Sequence, residues 1–209
     1  ASRPRSTGSS RRGSGRWGLF PTVFSRAYHR FYLLAQWWQS RAKRDKDPGF
    51  RTLRHIAFVE RYLPRPWPEP VLCLGPRNDL ELCYLRQAGA SAVIGLDLFS
   101  QHPDILVGDM HAMPFESDRF GLVWASHVLE HALEPKKVFA EIVRVLKPGG
   151  YLMAAYPTNF RPNWHDRWNF GAPDTLLGYL PGSALLVSRR TRSGESAEWA
   201  ALYRVNCIG

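Results

Sequence analysis

Val71-Leu-Cys-Leu-Gly75, followed 22 residues after its glycine by Val93-Ile-Gly-Leu-Asp97, is the stretch that decides the fold of this chain of 209 residues. Both are short apolar runs of strand length. The first closes on a glycine and the second on a carboxylate. Further runs follow in order: Ile105-Leu-Val-Gly-Asp109-Met110, then Gly121-Leu-Val-Trp-Ala-Ser-His127, then Leu146-Lys-Pro-Gly-Gly150 leading into Tyr151-Leu-Met-Ala-Ala-Tyr156. These place strands at 71–75, 92–97, 105–108, 121–126 and 151–156. Between the first two, Leu80, Leu82, Cys83 and Leu85 suit a short helix that ends at Gly89. Val138, Phe139, Ile142, Val143 and Leu146 supply the apolar face of a second helix over 135–146, which Lys147-Pro148-Gly149-Gly150 is expected to stop. Strands alternating with helices imply a doubly wound, mainly parallel sheet with helices on both faces. Ala184-Leu-Leu-Val-Ser188 and Trp199-Ala-Ala-Leu-Tyr-Arg-Val205 flank the polar turn Arg192-Ser-Gly-Glu195, the pattern of a terminal antiparallel hairpin.

The charge is unevenly placed. Of 28 Lys and Arg, eleven lie in residues 1–46 with only Asp45 among the 18 acids, which leaves seventeen groups of each sign in the remainder. The core is neutral and the front end carries the net charge of +10. Such a segment suits phosphate, in nucleic acid or on an anionic membrane face, or else a solvated tail. Cys73, Cys83 and Cys207 have neither metal-ligand spacing nor an even count, so a reducing compartment is the simplest expectation. No apolar run approaches the ~20 residues of a transmembrane helix. The longest candidate, Phe31-Tyr-Leu-Leu-Ala35, is interrupted by Gln36.

The front end divides in two. Residues 1–16 are rich in Ser, Arg and Gly, without an acid, and cannot bury enough surface to fold alone. That composition matches an organellar transit peptide, mitochondrial or plastid, as well as a trimmed tail, and a cytoplasmic location is the alternative. In residues 17–44, Phe20, Phe24, Tyr28, Phe31 and Trp38 recur at helical intervals, with Arg26 and Arg30 off the stripe. The expectation is a helix packed on the core through that stripe; a lid, a partner-binding helix and an interfacial membrane helix are the alternatives. Pro64, Pro66, Pro68 and Pro70 mark a stiff linker over the end of segment 17–69, so a catalytic-type domain is expected over 70–209.

The strand order, glycine and carboxylate positions resemble the class I S-adenosylmethionine-dependent methyltransferases, of the type 11-like kind. The resemblance covers 70–209 and implies a seven-stranded Rossmann-like sheet with the hairpin at its edge. It implies S-adenosylmethionine as cofactor. Asp97 would accept the ribose hydroxyls, with Leu98 beside it; Asp109 and Met110 would hold adenine; Gly75 would line the turn and Ser126 the end of the fourth strand. The first turn departs from the family pattern. Cys73 replaces an acid two residues before the glycine, and Arg77 and Asp79 replace two later glycines. Asp79 and Glu81 are the acids left to hold the cofactor's ammonium. The chain is similar here to a smaller methyltransferase-like group with a Gly75-Pro-Arg77 turn and a Gly108-Asp-Met-His-Ala-Met-Pro114 segment. The departure is read either as a variant binding mode or as loss of the cofactor.

His127-Val-Leu-Glu130-His131 matches a zinc-hydrolase pattern, but it falls where the fourth strand ends, and similar runs occur there in methyltransferases. No metal site is expected. His127, His131, His165 and Asp166 are candidate bases, His127, His131 and Asp166 foremost, with His127 nearest the reacting end. Residues 159–170, mixing Trp and Phe with His, Asp and Arg, read either as an acceptor-binding lip or as an amphipathic connection packed on the sheet. The fourth strand lacks the Asn/Asp-Pro-Pro-aromatic turn that exocyclic-amine methyltransferases use, which weighs against adenine or cytosine amino groups. Two functions are carried forward. One is an S-adenosylmethionine-dependent methyltransferase. The other is a methyltransferase-like structural or assembly subunit of a larger organellar complex, such as a ribonucleoprotein, attached through its basic N-terminal segment.

Overall fold

The computed structural model describes residues 26–42, 45–76, 78–193 and 196–206. The tail, Phe20, Phe24, Arg77, the tip of the hairpin turn and Cys207 lie outside the described residues. The sheet is built from β1 (Val71–Leu74), β2 (Val93–Asp97), β3 (Ile105–Val107), β4 (Phe120–Ser126), β5 (Leu146–Thr158), β6 (Ala184–Ser193) and β7 (Ser196–Val205). Their spatial order is β3-β2-β1-β4-β5-β7-β6. The first five strands pair in parallel, and β7 runs antiparallel to both β5 and β6, so six strands share one direction. The sequence reversal falls at β1, whose neighbours are β2 and β4. The crevice beyond its carboxyl end is where ligands bind in such sheets.

All of β1 and β4 is buried, as near-continuous apolar runs covered on both faces must be. On one face, α4 (Pro135–Val145) and the 3₁₀ segment Pro173–Tyr179 cover a core that includes Phe139, Ile142, Tyr156 and Phe170. On the other, α2 (Gly49–Val59) and α3 (Leu80–Gln87) cover Val71, Cys73, Trp124 and Met153. The chain leaves α4 at Val145, and Leu146 already pairs with Phe120. The expected helix stop at Lys147–Gly150 is therefore the first part of β5, entered through a register irregularity.

The stretch before the prolines, which the sequence pattern leaves without an element, forms α2. Thr52, Ile56, Val59 and Leu63 are buried at helical spacing, and Trp67 is buried among the prolines. The stiff proline segment is thus packed on the domain through Leu63 and Trp67. It also explains Gly121: a Cβ there would sit 2.5 Å from the backbone carbon of Pro68.

The largest departure from expectation is in α1 (Arg26–Ala42). Among the described side chains of this helix, Tyr32 and Gln36 are buried, whereas Phe31 and Trp38 of the aromatic stripe are 59% and 64% exposed. The helix lies against the domain through Tyr32 and Gln36, with Phe31 and Trp38 turned to solvent.

Candidate functional site

Two adjoining cavities share Gly75 at the end of β1. Gly75 has φ of +67°, and a Cβ would lie 2.6 Å from Val128 Cγ2, so the tight turn out of β1 needs glycine on both counts. The first cavity is lined by Asp97 and Leu98 from the end of β2, Asp109 and Met110 after β3, and His127, Val128 and His131 after β4. The second is lined by Glu81, Ser126, Lys46, Phe50 and Arg51. Of the residues expected from sequence, all but Asp79, His165 and Asp166 line these cavities. Asp166 joins the group through His131. Asp79 lies apart, near His102 Nε2 at 3.8 Å, and lines neither.

The acid missing from β1 is supplied by α3. Cys73 is fully buried, and its thiol is pushed well up by that burial and by the neighbouring Glu81 and Asp97 carboxylates, so it stays neutral. Glu81, itself 4% exposed, hydrogen-bonds with that thiol. Its Oε1 accepts from Trp124 Nε1 at 3.1 Å and from the Thr52 hydroxyl at 3.3 Å. A carboxylate is thereby held beside the first turn even though β1 carries none.

The adenosine side is equally ordered. Asp97 Oδ1 accepts the Phe99 N–H at 3.0 Å, which fixes the carboxylate at the strand end. Asp109 Oδ1 accepts the His111 N–H at 2.9 Å and faces His111 Nδ1 at 2.6 Å. His111 Nε2 accepts the N–H groups of Leu133 and Glu134, at 3.0 and 3.2 Å, so its proton belongs on Nδ1 toward Asp109. The segment after β3 is tied down by Arg144, which donates to the carbonyls of Phe115 and Met113 at 2.7 and 3.0 Å.

The donor set suits a nucleoside bearing a zwitterionic tail. Asp97 matches vicinal hydroxyls, Leu98 and Met110 match a purine's faces, Glu81 matches an ammonium and Arg51 a carboxylate. The space is another matter. The first cavity encloses about 60 Å³, whereas ligand pockets run to ~300 Å³ or more. Tyr32, Gln36, Gln39 and Ser40 of α1 fill the difference, and the Tyr32 hydroxyl donates to the His131 carbonyl. The second cavity is roomier, at about 410 Å³.

After β4 the sequence reading caught only half of the arrangement. His127 sits at φ of +54°, a conformation costly for a non-glycine residue and held here by its neighbours. Its Nε2 lies 2.8 Å from Glu198 Oε2 and its Nδ1 3.6 Å from Glu130 Oε1. Glu198, on β7, also meets Arg54 and, at 3.2 Å, His55 Nε2. Burial pushes the Glu198 carboxyl up, but hydrogen bonds and charge from His127 and His55 override it and hold the group well below the usual carboxylate range. Burial lowers His127 to about 4, and lowers His55 in the same direction, so both imidazoles are neutral near pH 7. Glu198 and His55 gave no motif in the sequence; Glu198 shows only as an acid at an inward-facing position of β7.

His131 and Asp166 are brought together, with Nδ1 3.2 Å from Asp166 Oδ1 and 3.0 Å from the His165 carbonyl. His127 and His131 thus turn to different carboxylates, and the 3₁₀ turn Leu129–His131 gives no single helical face to a zinc pair. Residues 159–170 pack on the domain in part, as the amphipathic-connection reading expects. Phe170 is buried against Phe139 and Tyr156 and Trp168 Nε1 donates to the Ala132 carbonyl at 2.8 Å, while Trp164 and His165 stay exposed at the rim.

Residues 72–154 match the family described as a methyltransferase domain. A demethylmenaquinone methyltransferase of Renibacterium salmoninarum is 46% identical over 98 residues, covering 45% of this chain and 37% of the relative. A ubiquinone/menaquinone biosynthesis C-methyltransferase of a Ruegeria species is 27% identical over 121 residues, covering 50% of this chain and 48% of the relative. The chain therefore spans less than half the length of these two relatives. Among solved structures, the Burkholderia thailandensis 1,6-didemethyltoxoflavin-N1-methyltransferase, with S-adenosylhomocysteine bound, is similar in fold. It has a TM-score of 0.66 at 13% identity, covering 90% of this chain and 94% of that one. The cyclase SpnF is similar too, with a TM-score of 0.61 at 16% identity, covering 73% of this chain and 80% of that one.

Proposed function

We propose, from the match of residues 72–154 to a methyltransferase-domain family, that this chain uses S-adenosylmethionine to methylate an acceptor. One observation carries the reading: carboxylates at the ends of β2 and β3, and Glu81 standing in for the missing acid of β1, converge on cavities joined at Gly75. The altered first turn is thereby read as a variant binding mode. Matches to methyltransferases favour catalysis over the assembly role.

In this reading Asp97 holds the ribose hydroxyls and Leu98 and Met110 flank adenine. Asp109, oriented by His111, accepts from the exocyclic amine. Glu81 holds the ammonium and Arg51 the carboxylate of the methionine end, with Ser126 at its floor. The bound cofactor supplies an activated methyl group on a good leaving group. What remains for the chain is to align the acceptor, exclude water and take up a proton. His127, neutral and committed through Nε2 to Glu198, would accept that proton at Nδ1. The imidazolium so formed would lie between Glu198 and Glu130. His131, oriented by Asp166, is the second candidate base. Two supported bases suit an acceptor that ionises, an oxygen or carbon acid. The C-methylation named for the Ruegeria relative is a reaction of that class.

Ultraviolet labelling of the folded chain with methyl-tritiated S-adenosylmethionine tests the proposal. Labelling is expected to be competed by S-adenosylhomocysteine and not by ATP or NAD. Absence of labelling, or equal competition by all nucleotides, would count against it.

A further inference from the structure

The outer face of α1 has no role in the site, yet it carries a cluster of exposed large apolar side chains. Phe31 and Leu34 are each 59% exposed and Trp38 is 64% exposed. With 3.6 residues per turn, these three positions fall within about 60° of arc, away from the buried Tyr32 and Gln36. Trp164, 45% exposed on the rim segment after β5, extends the patch, its ring 5.9 Å from that of Phe31. Exposed Arg30 and Arg41 border the stripe along one side.

We infer that this face docks on an anionic lipid surface, with Phe31, Leu34 and Trp38 entering the headgroup boundary. The charge around it selects that occupant. The helix has no acidic residue, and residues 1–46 hold eleven Lys and Arg against one acid while the rest of the chain is balanced. An interfacial helix combines this pattern of Trp, Phe and Leu on one side with basic residues beside them. Each Lys or Arg near an anionic surface adds to the attraction. A duplex nucleic acid would use the cations but would gain nothing from an exposed leucine. A second copy of the chain would bring the same positive charge to the contact. Docked this way, the patch would bring Trp164 against the lipid as well.

The test is co-sedimentation of the full 209-residue chain with vesicles of phosphatidylcholine containing about one-third phosphatidylglycerol, against pure phosphatidylcholine. Binding is expected to the anionic vesicles, at least tenfold weaker to the neutral ones, and at least tenfold weaker again for Leu34→Glu/Trp38→Glu. Because both side chains are exposed, these variants should keep the wild-type melting temperature. Leu34→Ile should bind as wild type. No binding to anionic vesicles would overturn the inference. So would unchanged binding by the double Glu variant, which would reduce the interaction to the charge of the tail. A dimer in sedimentation velocity that the same double variant dissociates would assign the face to a second copy instead.

Discussion

Glu198 Oε2 lies 2.8 Å from His127 Nε2, joining the C-terminal hairpin to the end of β4 across the intervening strand β5. The contact spans 71 positions in sequence. It puts an ionised carboxylate behind an imidazole that borders the cofactor cavity, and it ties the hairpin to the part of the fold where the reaction would occur.

This pairing makes stability depend on pH in a defined direction. His127 is lowered from 6.5 to about 4 in the folded chain, chiefly by burial. Between these values the unfolded chain binds the extra proton, so folding stability falls as pH drops from about 6.5 toward 4. His55 acts in the same sense, and the lowered Glu198 extends the loss below the ordinary carboxylate range. Urea titrations should show roughly 2–3 kcal/mol lost over that window, and His127→Gln should flatten the dependence. A pH-independent midpoint would contradict the neutral imidazole.

Removing the carboxylate should be expensive. Glu198→Ala removes the acceptor that Arg54, His55 and His127 share and should cost on the order of 3 kcal/mol in chemical denaturation. Glu198→Gln keeps an acceptor and should cost less. Equal small losses would show that the cluster contributes little.

Gly75→Ala should destabilise through both its positive φ and the 2.6 Å approach of Val128. The left-handed conformation alone is worth ~1–2 kcal/mol. Adding Val128→Ala should relieve the steric part only, so a double-mutant cycle on melting temperature should show favourable coupling. Additive effects would mean that the close approach is not felt.

Most of the sheet was legible because its strands are apolar runs closed by Gly75, Asp97 and Asp109, and burial on both faces demands such runs in β1 and β4. The orientation of α1 was not. The aromatic stripe and the Tyr32–Gln36 side both have helical spacing, and periodicity alone does not say which is inside. Asp79 and Glu81 likewise looked equivalent from sequence; which one faces β1 is settled by helix phase, since Glu81 falls beside Cys73 and Trp124. Glu198 was invisible because its partners lie on other elements. The helix α2 had a readable spacing at Thr52, Ile56, Val59 and Leu63, masked by the prolines that follow.

Because α1 fills part of the first cavity, trimming it should ease cofactor entry. Gln36→Ala, which shortens a buried side chain at the cavity wall, should raise affinity for S-adenosylhomocysteine several-fold in equilibrium dialysis. A loss of affinity would mean that Gln36 holds the ligand rather than obstructing it.

The central claim is a working cofactor site organised on Asp97. Calorimetric titration of S-adenosylhomocysteine into the wild-type chain and Asp97→Ala tests it most directly. The expected result is saturable one-to-one binding that the variant weakens by about 10- to 100-fold, the worth of hydrogen bonds to a charged group, with the variant still folded. No binding by a folded wild-type chain, or equal binding by the variant, would contradict the account.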